Sequence, residues 1–406
     1  MEAVAVEREK GYAPRFSRVP GEPRFLADLR ERAFARFEEL GFPTPKNESW
    51  RSTGLQPITG TDWTARARGL SLPSPLPAGV RALPLAEALA AAEPHLARIA
   101  PFDDSTFAAL NTALFDETVV LEIARGAHVA EPIALSLGEA DRVESGGSPG
   151  AAFPRVLILA GEGSQASVVE TYAGSVRRFS NAVTEIALAP GAILEHTKLQ
   201  IEGGETAHVH ALAVHQARDS RFTSHNVALG AALARTDLQV ALGGEGAECH
   251  LFGLYLGRGR QHLDNHTVID HLTPHGTSRQ LYKGILDGAA RGVFHGKVIV
   301  RPGAQKTDAI QTNKNLILSR EALVDSTPAL EILADDVKCK HGSTTGQLDA
   351  AALFYLRSRG IGESDARALL TYAFAADVAE RITVAPVRRA VERELGFRLG
   401  ESGGAR

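Results

Sequence analysis

The sequence predicts a mainly β fold, a solenoid of stacked coils with α-helical regions at both ends. From Ala166 to about Lys338, strand-like runs of roughly four to seven residues alternate with turn clusters almost without a break. Helical patterns precede and follow this stretch. Gly-Ala or Gly-Ser steps punctuate the strands at spacings of 28, 39, 16, 42 and 15 residues, and they begin at Gly163, Gly191, Gly230, Gly246, Gly288 and Gly303. This uneven spacing predicts irregular coils rather than an exact tandem repeat.

A β-sandwich is the alternative, because periodicity alone does not distinguish parallel coils from antiparallel hairpins. In a solenoid the backbone of each coil pairs with the next coil, which leaves an open edge at either end. Helices at both ends of the chain would cover those edges, and this favours the solenoid.

The chain divides into three predicted regions. Residues 1–115 form a mostly helical region with a linker, residues 116–346 form the β body, and residues 347–406 form a C-terminal helical domain that ends in a disordered tail from Gly400. In the first region Trp50 is predicted to fill a core, and Ser105 is predicted to cap a helix. The predicted helices are Pro23–Leu40, Leu85–Ala100, Ser105–Leu114, Gln347–Arg359, Asp365–Ile382 and Val387–Leu395.

The helix Asp365–Ile382 carries apolar residues on two faces. Leu369 and Phe374 belong to one stripe, and Tyr372 and Ala375 belong to a second. One stripe is enough to pack a helix on its own domain. The second face is therefore either further core or a docking surface for another protein.

Composition excludes several classes of function. The 406 residues carry a net charge of -4 and no run of Lys and Arg, which argues against a nucleic-acid partner. No apolar run reaches the roughly 20 residues that span a bilayer. The charged N-terminus does not read as a signal peptide, and the two cysteines form no CxxC. A reducing cytoplasm is the predicted location.

Common catalytic motifs are missing from the sequence. Gly292–Val298 (GVFHGKV) resembles a phosphate loop, but it has three residues between its glycines instead of four, and Val298 replaces the Ser or Thr that binds magnesium. Neither a GxSxG elbow nor an HExxH helix occurs. The chain is therefore predicted to bind no nucleotide and to be non-catalytic, and any ATPase must be another protein.

Histidines concentrate in the β body, where eleven of the fourteen lie between His196 and His295. His208 and His210 would share one face of a strand. The pairs His262/His266 and His271/His275 have the i,i+4 spacing of a helical metal site, but their neighbours predict a strand. Metal binding across this belt and solvated or stacked histidines on the solenoid wall both remain open.

Cys339 and His341 form the sharper candidate metal site. On an extended segment both side chains project the same way, and a thiolate beside an imidazole suits iron or zinc. The flanking Lys338 and Lys340 are expected to lower the pKa of the thiol. Two ligands do not close a four-coordinate site, so the pair is either structural or completed by a partner.

The sequence is compatible with two functions that a solenoid can serve: a polysaccharide-acting enzyme and a structural interaction protein. A polysaccharide-acting enzyme needs clustered carboxylates, often with calcium, and Asp264, Asp270 and Asp287 are the candidates. A purely structural interaction protein would need no metal ligand at all.

Several motifs resemble the SufB/SufD family of iron–sulfur cluster assembly proteins over nearly the whole chain. The most specific are FHGKVIVRPGAQKTDAIQTNKNLILS (Phe294–Ser319) and PALEILADDVKCKHGSTTGQLD (Pro328–Asp349). The others are GFPTPKNESWRSTGL (Gly41–Leu55), LNTALF (Leu110–Phe115), PRVLILAGEGSQASVVETY (Pro154–Tyr172) and RGIGESDARALLTYAF (Arg359–Phe374). In the SufB branch a cysteine stands where this chain has Asn313, and His-Glu stands where it has His341-Gly342. The resemblance is therefore to the SufD branch.

The resemblance implies a right-handed parallel β-helix between N-terminal and C-terminal helical regions. It implies a complex with a SufB-like paralogue, met at the end of the β-helix, and with a SufC-like ATPase, docked on about Gln347–Leu395. The Cys-x-His of the family corresponds to Cys339 and His341, which are then candidate ligands of a transient iron–sulfur cluster shared with the partner subunit. A homodimer in isolation and a flavin contact are left open.

Overall fold

The N-terminal region combines short helices with three short strands. The computed structural model of the protein describes residues 19, 21–63, 65–67, 69–138, 149–175 and 177–401. The elements of this region are α1 (Arg24–Leu40), a single 3-10 turn (Glu48–Trp50), α2 (Gln56–Thr59), β1 (Ala65–Arg66), β2 (Leu70–Ser71), β3 (Val80–Pro84), α3 (Leu89–Ala92) and α4 (Thr106–Leu114).

One helix of this region is much shorter than predicted. Only α3 is helical within Leu85–Ala100, and turns occupy most of the rest. Pro94 explains the difference, because a proline lacks the N–H of a helix interior and its ring clashes with the preceding turn. The predicted cap is confirmed, since Ser105 Oγ accepts a hydrogen bond from the N–H of Ala108 at 3.3 Å.

The β body is a parallel solenoid, which confirms the predicted fold class. Odd-numbered strands from β7 to β19 lie in an 11-stranded sheet and even-numbered strands from β8 to β20 in a 9-stranded sheet, so each coil gives one strand to each sheet. All pairs between successive coils are parallel, which excludes an antiparallel sandwich. Right-handed winding stays a prediction. The strands are β4 (Glu117–Ile123), β5 (Ile133–Leu137), β6 (Gly150–Ala152), β7 (Pro154–Ala160), β8 (Gln165–Tyr172), β9 (Arg178–Leu188), β10 (Ile193–Gln200), β11 (Ala207–Gln216), β12 (Arg221–Ala228), β13 (Leu233–Leu242), β14 (Glu248–Gly257), β15 (His262–His271), β16 (Thr277–Leu286), β17 (Arg291–Val300), β18 (Asp308–Ile317), β19 (Leu323–Ile332) and β20 (Lys338–Gly346).

The coils differ in length, as predicted, but by less than the glycine spacing suggested. One column of turns carries a residue with positive φ in every coil, and these residues are 37, 28, 28, 27, 29 and 31 positions apart: Gly126, Gly163, Gly191, Asp219, Gly246, His275 and Lys306. The N–H of each donates to a carbonyl in the turn of the next coil, as in Gly163 to Pro190 at 3.0 Å. Gly288 belongs to a second column at another corner, with Ala231 and Gly259. The Gly-Ala and Gly-Ser steps were unevenly spaced because some of them belong to the first column of turns and others to the second.

Helices cover the outer faces of the solenoid rather than both of its ends. The N-terminal region packs on the 11-stranded sheet through an aromatic cluster that includes Phe107 and Phe179. Trp50 is buried in the same cluster, which confirms its predicted core role. The C-terminal helices are α5 (Ala350–Ser358), α6 (Glu363–Ala379) and α7 (Ala385–Glu401). They pack on the outer face of the 9-stranded sheet, where Ala375 and Leu395 join Leu254 and Ile285 in one core.

The last helix extends beyond its predicted end. It reaches Glu401, so Gly400 and Glu401 are helical although they were assigned to the tail. The remainder of the predicted tail, residues 402–406, lies outside the described residues. None of the helices in the described residues is both long enough and apolar enough to cross a membrane.

Candidate functional site

The solenoid ends in two strands that lie at the edges of their sheets. β19 pairs with β17, and β20 pairs with β18. Every residue of β20 is exposed except Cys339, which is half-buried. An edge strand presents backbone N–H and C=O groups that can pair with another chain. The prediction that helices cover both ends of the solenoid is wrong here. This end is uncovered, and we call it the mouth.

Cys339 and His341 lie at this mouth, on the side that faces the space between the two sheets, here called the lumen. On β18 the lumen-facing residues are the buried Ala309, Gln311 and Asn313. The parallel register aligns Ala309 with Cys339 and Gln311 with His341. Since side chains alternate along a strand, both candidate ligands continue the lumen face by one more coil.

The two candidate ligands differ in their surroundings. Cys339 packs against the main core of the solenoid, whereas His341 is exposed. Burial raises the pKa of the Cys339 thiol, and the nearby Asp308 carboxylate adds to the effect. The prediction that Lys338 and Lys340 lower this pKa is therefore wrong. Their side chains alternate to the opposite face of the strand, toward solvent.

A small polar network lies beside the pair. Ser326 Oγ and Ser343 Oγ are 2.7 Å apart across the mouth, and Ser326 also donates to Asn313 Oδ1 at 2.7 Å. Asn313 is buried and also donates to the carbonyl of Tyr282 at 3.2 Å. The position at which the SufB branch is expected to carry cysteine is thus a structural amide here.

The described part of the chain does not complete a metal site around Cys339 and His341. Among the described residues, no group of three or more His, Cys, Asp and Glu side chains gathers as a ligand set. Cys339 and His341 can therefore supply two donors, and the remaining donors of a tetrahedral ion would have to come from elsewhere.

Two histidines of the central belt, His208 and His210, lie inside the solenoid rather than on its solvent side. His208 and His210 are buried beside Tyr172, with ring centroids 4.7 and 5.6 Å from its ring. Tyr172 donates to Glu170 Oε2 at 2.9 Å, and His196 Nε2 lies 3.2 Å from Glu170 Oε1. Burial alone would raise the pKa of Glu170, but its contacts with His196, Thr184 and Tyr172 lower it overall.

A buried lysine belongs to the same interior network. Lys198 donates to Thr236 Oγ1 at 2.8 Å, and burial lowers the pKa of its ammonium to about 7 despite the attraction of Glu202 and Glu170. Sequence reasoning missed this network. The available signal was a repeat of polar residues two positions apart on successive strands: Glu170/Tyr172, His196/Lys198 and His208/His210.

The three carboxylates proposed for a polysaccharide-acting enzyme each bind a different structural partner. Asp264 is buried and accepts from Arg235 at 2.8 Å, while Asp270 is paired with Arg301 at 2.8 Å. Asp287 accepts from the N–H of Gly288 at 2.9 Å. These contacts are those of structural carboxylates, so the geometry gives the enzyme alternative no support.

The C-terminal helices use their apolar residues in two ways. Ala375 and Val378 of α6 are buried against the solenoid. Phe354 and Tyr355 of α5 are 74% and 55% exposed, and Leu369 of α6 is 48% exposed. The apolar surface of this domain is therefore partly core and partly available for contact.

Comparison with known proteins decides the family. Residues 142–374, more than half of the chain, match the family model described as the SUF system FeS cluster assembly SufBD core domain. The chain belongs to the SufB/SufD family. Residues 20–75 also match the SufBD protein N-terminal region.

Several curated members of the SufB/SufD family align with this chain. It is 32% identical to the iron–sulfur cluster assembly protein SufD of Escherichia coli over 391 residues, which cover 90% of this chain and 91% of that protein. It is 25% identical to SufD of Bacillus subtilis over 95% of this chain and 96% of that protein. A SufBD family protein of Synechocystis is 36% identical over 70% of this chain, and the match spans 64% of its own length. These matches confirm the predicted resemblance to the SufD branch.

Proposed function

We propose that this chain is a non-catalytic scaffold subunit of a SufB–SufC–SufD complex, in which His341 helps to hold a nascent iron–sulfur cluster at the contact with SufB. The observation that carries the proposal is the position of His341, exposed on the lumen side of the last, unpaired edge of the solenoid. Imidazole and thiolate are suitable donors for iron. The cluster is cargo that passes through this site rather than a resident cofactor.

The open mouth supports the proposal of a partner subunit. β19 and β20 are the edge strands of the two sheets, and all of β20 except Cys339 is exposed, so a second solenoid can meet them edge to edge. Among the residues that the structure describes, His341 and Cys339 gain no further ligand that would complete a set. A SufB-like paralogue that supplies thiolates across this contact would satisfy both conditions at once.

His341 is the stronger ligand candidate of the two. Its side chain is exposed, whereas the Cys339 thiol has a raised pKa and packs against core residues. Metal binding by Cys339 would first have to displace a proton. We therefore assign His341 the ligand role and Cys339 a supporting or structural one.

The energy for assembly would come from a SufC-like ATPase docked on about Gln347–Leu395. Exposed apolar side chains of Phe354, Tyr355 and Leu369 support this docking surface. Lys283 of β16 joins α6 to the solenoid, since its Nζ lies 2.8 Å from Asp377 Oδ2. β16 pairs with β18, and β18 pairs with β20. A pull on the helices by SufC dimerisation would thus reach the mouth through three strands.

The ligand proposal is tested with His341→Ala in the reconstituted complex. We expect the complex to assemble and cluster formation to fall, because the imidazole is lost without any change in the fold. Lys340→Ala is the matched control, since Lys340 is exposed on the opposite face of the same strand. Unchanged cluster formation by the His341 variant in an intact complex would refute the ligand role and leave a purely structural subunit.

The docking proposal is tested with the double variant Phe354→Ser and Tyr355→Ser. Because both side chains are exposed, the substitution is expected to weaken SufC binding in a pull-down without unfolding the chain. Leu272→Ser, at an apolar residue that is 40% exposed on the solenoid, serves as the control. Equal SufC binding by the double variant and the control would contradict the assignment of this surface.

A further inference from the structure

A second pair of metal-type ligands lies on the outer face of the 11-stranded sheet, on the two strands that precede the edge strand β19. His266 of β15 and His295 of β17 are direct neighbours in the parallel register. Their Nδ1 atoms are 3.3 Å apart, and their rings are nearly perpendicular, at 81°. A hydrogen bond between two such nitrogens needs a proton on one of them. A metal ion replaces that proton and uses both lone pairs.

The separation of the two nitrogens matches the geometry of coordination. Two imidazole nitrogens that each lie about 2.0–2.1 Å from one tetrahedral zinc ion are about 3.3–3.4 Å apart. The observed separation of 3.3 Å lies within this range. Imidazole is a common ligand of zinc, iron, copper and nickel.

A buried carboxylate orients the first of these rings. His266 Nε2 lies 3.0 Å from Asp264 Oδ1, and Asp264 is buried. A carboxylate at this nitrogen favours a proton on Nε2 and leaves the lone pair of Nδ1 facing His295. A carboxylate behind a ligating histidine is the usual outer shell of a metal site.

Charge near the pair favours a cation. The Arg235 guanidinium is matched by Asp264 at 2.8 Å and by Asp237, whose two oxygens lie 2.7 and 3.0 Å from it. Glu48, on the N-terminal segment, adds a further negative charge that acts on His295. Lys297, two residues beyond His295 on the same face of β17, is itself paired with Glu331 at 2.6 Å, so the side chains named here comprise two positive and four negative groups.

The pair opens into a groove with room for further ligands. A cavity of about 350 Å³ between the N-terminal region and the sheet is lined by His266 and His295 and by polar side chains that include Asn47 and Gln239. Asp237 is next to His266 in register, but both of its oxygens are held by Arg235. Among the described residues no third strong ligand completes a set.

We propose that His266 and His295 form a second metal site, which binds a borderline divalent cation such as Zn²⁺ through two imidazoles and leaves its remaining positions open to water or an exchangeable ligand. This site is separate from the mouth and does not depend on the role proposed for His341.

The test is a Zn²⁺ titration by calorimetry of the full-length, untagged chain in which Cys339→Ser and His341→Ala remove the donors of the mouth. We expect one Zn²⁺ per chain. His295→Asn in this background is expected to weaken binding at least about tenfold, because a single imidazole remains. His275→Asn is the control, since His275 is an exposed histidine on a turn, and it should leave binding unchanged.

A second variant separates ligation from structure. His295→Cys keeps a metal donor at the same position, so it is expected to retain Zn²⁺ and to give an altered Co²⁺ absorption spectrum with a sulfur-to-metal charge-transfer band. The proposal is overturned if the background chain binds no stoichiometric Zn²⁺, if His295→Asn binds as well as the background, or if His275→Asn causes the loss instead.

Discussion

His210 and His341 both face the lumen of the same solenoid, but they occupy different chemical environments. His210 is fully buried, its Nε2 lies 3.1 Å from Thr184 Oγ1, and burial beside Lys198 holds its pKa well below the usual value. His341 is exposed on the last strand. Strand alternation gives both residues the same direction, and the position of the coil decides whether solvent or a partner can reach them. One architecture therefore provides a structural interior and a reactive end.

The largest expected effect tests whether the interior network is structural. Glu170→Ala removes a buried carboxylate that accepts from Tyr172 and Thr184 and lies against His196. We expect a loss of roughly 3–5 kcal/mol in the free energy of unfolding, because the partners stay buried without their anion. Urea denaturation measures it. Glu162→Ala, which breaks an exposed pair with Arg125, should cost no more than about 1 kcal/mol. Equal costs for the two variants would show that the network is not structural.

A smaller change in the free energy of unfolding is expected when the two histidines are compared directly. His210→Ala leaves the Thr184 hydroxyl buried without this partner, and we expect it to cost roughly 1–3 kcal/mol of stability. His341→Ala should change stability by less than about 0.5 kcal/mol, because the side chain is exposed. Parallel denaturant curves decide the comparison. A costly His341→Ala would mean that the mouth is part of the folded core.

The buried lysine predicts a dependence on pH. Its pKa is 10.5 in the unfolded chain and about 7 in the folded one, so between these values the unfolded chain holds a proton that the folded chain has lost. Stability should therefore rise with pH across this window, by at most about 1.4 kcal/mol per pH unit from this group. The difference between the wild type and Lys198→Met, measured from pH 7.5 to 9, isolates the effect. Identical pH slopes would place the Lys198 titration outside this window.

The smallest effect concerns the two thiols. Burial raises the pKa of both Cys249 and Cys339, but Cys249 is fully buried while Cys339 is half-buried. We expect native alkylation to modify Cys339 slowly and to reach Cys249 only after unfolding, as read by mass spectrometry. Lys340→Ala should change the Cys339 rate by no more than about twofold, because an exposed charge is well screened. A large drop in that variant would restore the idea that lysines activate the thiol.

Local signals in the sequence identified much of this protein. Strand-length β-branched runs, turn glycines and amphipathic helices indicate a β body with flanking helices and favour a solenoid over a sandwich, and Cys339 and His341 are recognisable from their spacing and from the family motifs around them. These features depend on neighbours within a few residues, which a single chain displays directly.

Only the tertiary structure decided the register of the coils and the access of solvent to each one. From β7 onward, pairing at intervals of 26 to 32 residues sets which histidines meet, as with His266 and His295, and which polar residues share the lumen. It also places the helices on the faces and leaves the last strand, β20, exposed. The physical reason is that these properties arise from backbone hydrogen bonds between distant segments, and local residue patterns do not specify which segments pair.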